Sequence, residues 1–473
     1  MLGVVSTIIL VLNKNIKREF KKIKRFDFLY LPLIILGIAF LIFGNGIGGD
    51  FILDDGRSIF PSPSTRNLTD IPNEFFKPFY PFQPSTGLYR PLTQITYIFN
   101  LSVSNNPAFF HIVNIALHAI NAWLILTIVV LVFQSRKTAY LAMGIFFFMP
   151  IHVEAITYIS GRADLLALFF SLLSFLLFFF KRHWLGAIMF LMAIFSKEVA
   201  IAFPLFIIFF LFAFERFNFI LWFKKILPFG ITSLIYVIFR YLALNTNFLS
   251  NDNGSIANPL TIASLVTRIF TSLKLLTLYV WKSFVPINIS ADYSYAQTQI
   301  NTSPLNWGVV IGFIFVAGVF IFIFNSKTKT TSCAFGLAFF LALYLPISNF
   351  IFPIGTIMAD RFIYAGSTGL AIATASVVVY LISGVGKKTK YLLFSFLILT
   401  MFMCGIKIIY RNRVWLNEEA LLVSMNTDSP KSITAKYNLG VYYLVNGKIK
   451  EGAELITEAN DLTELAKKEL INR

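Results

Sequence analysis

Residues 109–133 read FFHIVNIALHAINAWLILTIVVLVF, and the next apolar run opens behind the basic pair Arg136–Lys137. About 20 apolar residues in a helix match a hydrocarbon core about 30 Å thick, so a run this long predicts a transmembrane helix. Its polar members His111, Asn114 and His118 have helical spacing and fit packing between helices. Comparable runs lie at 28–48, 137–152, 163–181, 184–200, 200–215, 226–245, 306–325, 331–352, 362–383 and 390–410. The expected fold class is therefore all-α, a polytopic helical membrane protein with about eleven transmembrane helices. The composition agrees, with 57% hydrophobic and only 13% charged residues among 473.

The net charge of +17 would point a soluble protein toward nucleic acid. Here Lys and Arg collect between spans, as the positive-inside rule requires, so no nucleic-acid partner is expected. With eleven spans the stretch KNIKREFKKIKR (14–25) and the clusters Arg136–Lys137, Lys181–Arg182, Lys224–Lys225, Lys327–Lys329 and Lys387–Lys390 share one side, taken as cytoplasmic. Counting 263–285 as a twelfth span would flip the last two clusters. That segment, with Arg268, Lys274 and Lys282, is therefore expected as an outside-facing interfacial or re-entrant helix. The N-terminal MLGVVSTIILVLN lacks a basic leader and a small-residue cleavage site, so it is not read as a signal peptide. Cys333 and Cys404 form no disulfide or zinc pattern.

The same topology sorts the acids. Asp50, Asp54, Asp55, Asp70, Glu74, Glu154, Asp164, Glu198, Asp252, Asp292 and Asp360 fall outside, while Glu19, Asp27 and Glu215 remain inside. Ionisable groups at membrane depth are costly and mark function. One outside-facing, carboxylate-lined cavity is the economical expectation. A transporter would place such groups at mid-span on both sides of the centre, whereas these crowd the span ends.

The first outside loop, 49–107, carries FILDDGRSIF (51–60), the stretch PSPSTR, an NLT triplet at 67–69, and LYRPLTQITYIFNLSV, whose apolar spacing suggests an interfacial helix. From 411 the composition changes. KYNLGVYYLVNGKIKEGAELITEAND (436–461) has the small and large packing positions of one tetratricopeptide repeat, and NEEALLVSMNTDSP (417–430) fits the second helix of a preceding one. Two domains are expected, a membrane domain at 1–410 and a short tetratricopeptide-like helical domain at 411–473 docked on it.

In order along the chain stand DD (54–55), YRPL (89–92), FFHIVNIALHAINAWL (109–124), MPIHVEAITYISGRADLLALFF (149–170), SKEVAIAFP (196–204), DYSY (292–295), LPISNF (345–350) and ADRFIYAGSTG (359–369). This order, followed by a repeat after the last span, resembles the transmembrane and tetratricopeptide-repeat O-mannosyltransferases, over roughly residues 50–460. The block IHVEAITYISGRADLLA is the most specific part. The resemblance implies a GT-C membrane fold, a polyprenyl phosphate mannose donor and a Ser or Thr hydroxyl of an extracytoplasmic protein as acceptor. Two departures stand out: the repeat region is short, and ADRFIYAGS replaces a Glu-Arg-Tyr form.

Transfer of a glycosyl group to a hydroxyl needs a base, stabilisation of an oxocarbenium-like state and positive charge for the leaving phosphate. Asp54 and Asp55 sit where the first span meets the outside loop, at headgroup depth, and adjacent side chains diverge. One is expected to be the base and the other to orient it or bind the acceptor; the resemblance favours the first as base. Two close carboxylates also raise one pKa. Arg162 leads the candidates for the donor phosphate, with Arg90, Lys197 and Arg361 beside it, because Arg forks suit phosphate. His152, Glu154 and Asp164 are candidates for sugar or acceptor contact. His111 and His118 are expected to pack helices, and His183 to mark a cytoplasmic end. No metal site is expected and no cofactor beyond the lipid-linked donor; a divalent ion bridging Asp55 and the phosphate is the lesser alternative. The rival readings are a GT-C transferase moving another sugar onto a lipid or glycan, a transporter, and a repeat scaffold. The expected setting is a bacterial cytoplasmic membrane with the site facing outside, or an endoplasmic reticulum membrane in a eukaryote.

Overall fold

A computed structural model describes residues 25–60, 68–248, 254–325 and 327–471. The leading apolar stretch, nearly all of 14–25, PSPSTR, Asn67 and Asp252 lie outside the described residues. Every regular element among the described residues is helical. The main ones are α1 (Leu31–Phe43), α2 (Pro91–Val103), α3 (Pro107–Phe133), α4 (Arg136–Phe147), α5 (Arg162–Phe179), α6 (His183–Ser196), α7 (Phe203–Phe214) and α8 (Phe219–Leu244). They continue with α9 (Leu265–Phe284), α10 (Trp307–Phe324), α11 (Ser332–Tyr344), α12 (Tyr364–Ser383), α13 (Lys387–Asn412), α14 (Glu418–Asp428), α15 (Ile433–Val445) and α16 (Ile449–Ile471).

Six stretches among the described residues are long and apolar enough to cross a membrane: Pro107–Phe133, Ile159–Phe179, Phe219–Asn247, Trp307–Phe324, Asp360–Ser383 and Lys387–Trp415. A seventh candidate is α4 with Pro150–Thr157, bent by 51°. Pro150 explains the bend, because its ring clashes with the preceding turn and it has no N–H to donate. Four apolar helices are shorter. The 14 residues of α6 rise only about 21 Å, less than the core thickness. The eleven runs seen in the sequence are thus a mixture of full-length and short helices. The helix α9 is not among the six.

The helices start where side chains can cap them. Asn106 accepts from the Ala108 N–H at the head of α3, and Asn306 accepts from the Gly308 N–H at the head of α10. The centre of the bundle is α3 and α5, whose spans are 83% and 89% buried, while α13 is only 11% buried. The α11–α12 crossing is tight: a Cβ on Gly336 would strike the Gly369 carbonyl, and one on Gly369 the Gly336 carbonyl.

Successive helices carry the chain between two chemically distinct ends. One holds Arg136, Lys137, Lys181, Arg182 and Lys387–Lys390; the other holds the aspartate pair, Glu154, Asp164, Glu198 and Asp360. The helix α2 packs on the bundle: it buries Thr93, Gln94, Ile95, Tyr97, Ile98 and Asn100, and its polar face serves a buried arginine described below.

After α13 the chain turns back on the acid-bearing end. Arg411 pairs with Asp428 at 2.8 Å. The Ser429 hydroxyl donates to the Asp292 carbonyl at 2.7 Å, and the Ser432 hydroxyl donates to the Asp292 carboxylate. Burial raises the Asp292 pKa even though Ser432 and Ser294 hydrogen-bond its charged form. The helices α15 and α16 form an antiparallel pair in which Gly440 and Gly452 bring the backbones together.

Candidate active site

The two aspartates have opposite environments. Asp54 is half-buried and lines a cavity of about 550 Å³ at the acid-bearing end. Asp55 opens a short helix, Asp55–Ile59, is 0% exposed and does not line the cavity. One of its oxygens accepts from the Ser160 N–H at 2.9 Å and the Ser160 hydroxyl at 2.6 Å; the other accepts from the Ile52 N–H at 3.3 Å. Asp55 therefore ties the loop after α1 to the turn before α5. Burial pushes its pKa up to about 7, against the hydrogen bonds from Ser160 and Ile52. The charge of Asp54 adds least, so the expected cause, carboxylate repulsion, is corrected to desolvation.

The Ser160 turn is shaped by its neighbours. A Cβ at Gly161 would strike the Ala155 carbonyl, so only glycine permits this return of the chain. Asn114 donates to the carbonyls of Ile156, Tyr158 and Ile159 at 3.2–3.3 Å. The Asp54 N–H donates to the Tyr158 hydroxyl at 3.2 Å, and the Tyr158 ring packs on Trp415.

Most cations lining the cavity are neutralised. Arg90 makes a two-point contact with Glu198 at 2.9 and 2.5 Å. Lys197 reaches both oxygens of Asp164, at 2.7 and 2.6 Å, and both side chains are buried. The Arg361 side chain pairs with Glu154, and its backbone N–H donates to the same carboxylate at 3.0 Å. Phe362 lies under both Lys197 and Arg361, at 4.9 and 5.3 Å.

Among the candidates read from the sequence, Asp54, Arg90, Asp164, Lys197 and Arg361 converge on this cavity. Arg162 does not line it. It is fully buried, donates to Asn114 at 2.9 Å, Asn100 at 2.5 Å and the Phe110 carbonyl at 3.0 Å, and packs on Tyr97 and Phe110. Its fork is spent on joining α2, α3 and α5. His152 is equally enclosed, bonded to Ser367 at 2.7 Å among Phe146, His118 and Tyr364. Glu154 reaches the cavity only through Arg361. His111 contacts the Gly49 carbonyl and His118 the Tyr364 hydroxyl, both as links between segments. Sequence reasoning missed Ser160 and Tyr158, which hold the aspartate loop. It also missed Arg57 and Arg240, two cavity-lining arginines without a carboxylate partner among the described residues.

Comparison with known proteins gives sequence relatives. The chain is 23% identical over 482 residues to protein O-mannosyl-transferase TMTC4 of Mus musculus, covering 87% of this chain and 63% of that protein. It is 26% identical over 432 residues to protein O-mannosyl-transferase TMTC3 of Homo sapiens, covering 83% and 47%. It is 25% identical over 443 residues to protein O-mannosyl-transferase F38B6.6 of Caenorhabditis elegans, covering 89% and 61%. The resemblance drawn from the motifs is therefore real, and this chain spans about half to two-thirds of the length of these relatives. No family model and no solved structure matches it.

Proposed function

We propose that the chain is a membrane glycosyltransferase that moves mannose from a polyprenyl phosphate donor to Ser or Thr hydroxyls of protein. The names of its relatives support the reaction class. The observation that carries the site assignment is the split of the aspartate pair: Asp54 lines the cavity while Asp55 is locked beneath it. Geometry ranks before pKa in choosing a base. Asp54 accepts the acceptor hydroxyl proton as that oxygen attacks the anomeric carbon, and the phosphate leaves with the bonding pair from the opposite face, giving inversion. Asp55 is the positioning residue, holding the loop through Ser160.

Arg90, Lys197 and Arg361, with their carboxylates, form a preorganised polar wall. Fixed dipoles and charges aimed at the developing phosphate charge need no reorganisation during the reaction. Asp164, beside Lys197, is placed for sugar or acceptor hydroxyls. Arg162 and His152 drop out as contact residues in this reading, since neither lines the cavity.

A transfer assay tests the reading. Purified protein in nanodiscs is given polyprenyl phosphate mannose and a Ser/Thr-rich peptide mixture. Mannosylated peptide from the wild type, lost in Asp54→Asn, is the expected result. Sugar released onto lipid or glycan, with no peptide product, would keep the transferase and replace the acceptor. No donor turnover at all would sink the proposal.

A further inference from the structure

The backbone next to Asp54 does not hold itself. Leu53, the residue before it, has φ 47°, in the left-handed region. A leucine is costly there and stays only where its surroundings over-determine it. What fixes this loop is therefore a question about its neighbours. Two of its amides are tethered: the Asp50 N–H donates to the Leu416 carbonyl at 2.9 Å, and the Asp54 N–H donates to the Tyr158 hydroxyl at 3.2 Å. The first tether ends in the turn that follows the last span. The second ends in the ring on which that turn packs, since the Trp415 and Tyr158 centroids lie 5.4 Å apart with the planes 30° from each other.

The last span is built around this junction. The buried residues of α13 are Gly405, Ile408, Arg411 and Asn412, all within its last eight. Asn412 is 0% exposed. Its Oδ1 accepts from the Thr157 hydroxyl at 2.9 Å, and its Nδ2 donates to the Ile42 carbonyl at 3.1 Å and to Asn45 Oδ1 at 2.8 Å. Asn45 donates back to the Ile409 carbonyl at 2.7 Å. One side chain thus joins the end of α1, the start of the aspartate loop and the turn that carries Tyr158. Trp415 is 1% exposed, and its indole N–H has no acceptor among the described residues. A buried N–H without a partner is a cost, so the ring contact is what Trp415 supplies.

We propose that Trp415 and Asn412 are positioning residues for the base: the turn closing the last span holds Asp54 in the cavity wall, through the Tyr158 ring and through the bridge from Thr157 to Asn45. The role of Asp54 as base rests on the glycosyltransferase reading; the tether does not. The helical segment that follows Trp415 is then joined to the active site by its first turn.

Two readouts on the protein in nanodiscs test this: amide hydrogen exchange over residues 49–58, and kcat at saturating polyprenyl phosphate mannose. Trp415→Ala should speed exchange at Asp50 and Asp54. It should lower kcat by up to about 10²-fold, the effect of misplacing a reacting group by about 1 Å, with the donor KM unchanged. Trp415→Phe keeps a ring and should restore both readouts. Leu439→Ala, which empties a buried site in α15, is the control. It should lower the melting temperature while exchange in the loop and kcat stay at wild-type values. Equal changes in Trp415→Ala and Leu439→Ala would make Trp415 merely structural and overturn the proposal, as would faster exchange with kcat unmoved. Thr157→Val, nearly the same shape without the hydroxyl, decides the case if Trp415→Ala does not fold: the same signature at smaller size is expected, and wild-type exchange and kcat overturn the proposal. Trp415-dependent exchange in a protein that transfers no mannose keeps the tether and rejects the transferase; full transfer by Trp415→Ala does the reverse.

Discussion

The two ends of the helical bundle both collect charge and both frame a cavity, yet they treat charge in opposite ways. At the basic end a groove of about 810 Å³ is lined by Arg136, Lys137 and Lys390 above apolar walls, with no carboxylate among the described lining residues. Lys137 and Lys390 are exposed there. At the acid-bearing end the charges sit inside, and Lys197, Asp164 and Glu154 are almost fully buried. Water solvates Lys137 and Lys390 at the first end, so topology is a sufficient reason for them, while the buried Asp27 there is met by the Tyr140 hydroxyl and by Arg136 at 3.9 Å. At the second end each charge must find a protein partner or serve a ligand, because an unpaired buried charge costs several kcal/mol. Burial, rather than charge count, separates a functional cluster from a topological one.

The largest effect should come from the acid-bearing end. Asp54→Asn is expected to lower kcat by about 10²–10⁴-fold, the usual contribution of a general base, with polyprenyl phosphate binding retained. Rates measured at saturating donor would check this. A variant with wild-type kcat would move the base elsewhere and erase the functional contrast between the ends.

Stability sharpens the same contrast. The Lys197–Asp164 pair has side chains only 3% and 5% exposed. Lys197→Met leaves a buried carboxylate alone and should cost about 3–5 kcal/mol, whereas Lys197→Met with Asp164→Leu should recover most of it. Thermal unfolding of the three proteins would show a double variant more stable than the single. If the wild type, Lys197→Met and the double variant melt alike, the pair is solvated and the buried-charge account is wrong.

The helices were legible because long apolar runs and caps are local signals. The ends of the ion pairs were legible as residue types but not as partners. Arg162 reads as a phosphate ligand because it stands within a motif block and an Arg fork suits phosphate. Its acceptors, Asn100, Asn114 and the Phe110 carbonyl, lie 62, 48 and 52 residues away, and no spacing rule brings them together. The same contacts bury the polar face of α2, which its apolar spacing alone does not reveal. Arg240 was hidden for the opposite reason: it sits in the apolar run LIYVIFRYLAL and reads as a span-end charge. The adjacency of Asp54 and Asp55 announced that they would diverge. Which of them faces the cavity is decided by Ser160, 105 residues from Asp55.

The pH dependence should separate the two aspartates. Asp55 has a folded pKa of about 7 against an ordinary 3.8. Its contribution to stability is fully present below about pH 4 and is lost as pH rises to about 7, because over that range the unfolded state has released a proton that the folded state still holds. The melting temperature of the wild type should therefore fall relative to Asp55→Asn between pH 4 and pH 7. Parallel curves would mean that Asp55 is ionised throughout and that solvent reaches it.

The smallest effect belongs at the basic end. Lys137→Gln removes one exposed charge from the groove lining, where hydration replaces a protein partner. Exposed substitutions away from special contacts usually stay within about 0.5 kcal/mol. Arg136 and Lys390 still border the same groove, so the local excess of positive charge survives the change. Melting temperature, kcat and polyprenyl phosphate affinity should all match the wild type. A loss of transfer in Lys137→Gln, with folding intact, would show that the basic end takes part in the reaction and that burial is the wrong criterion for this molecule.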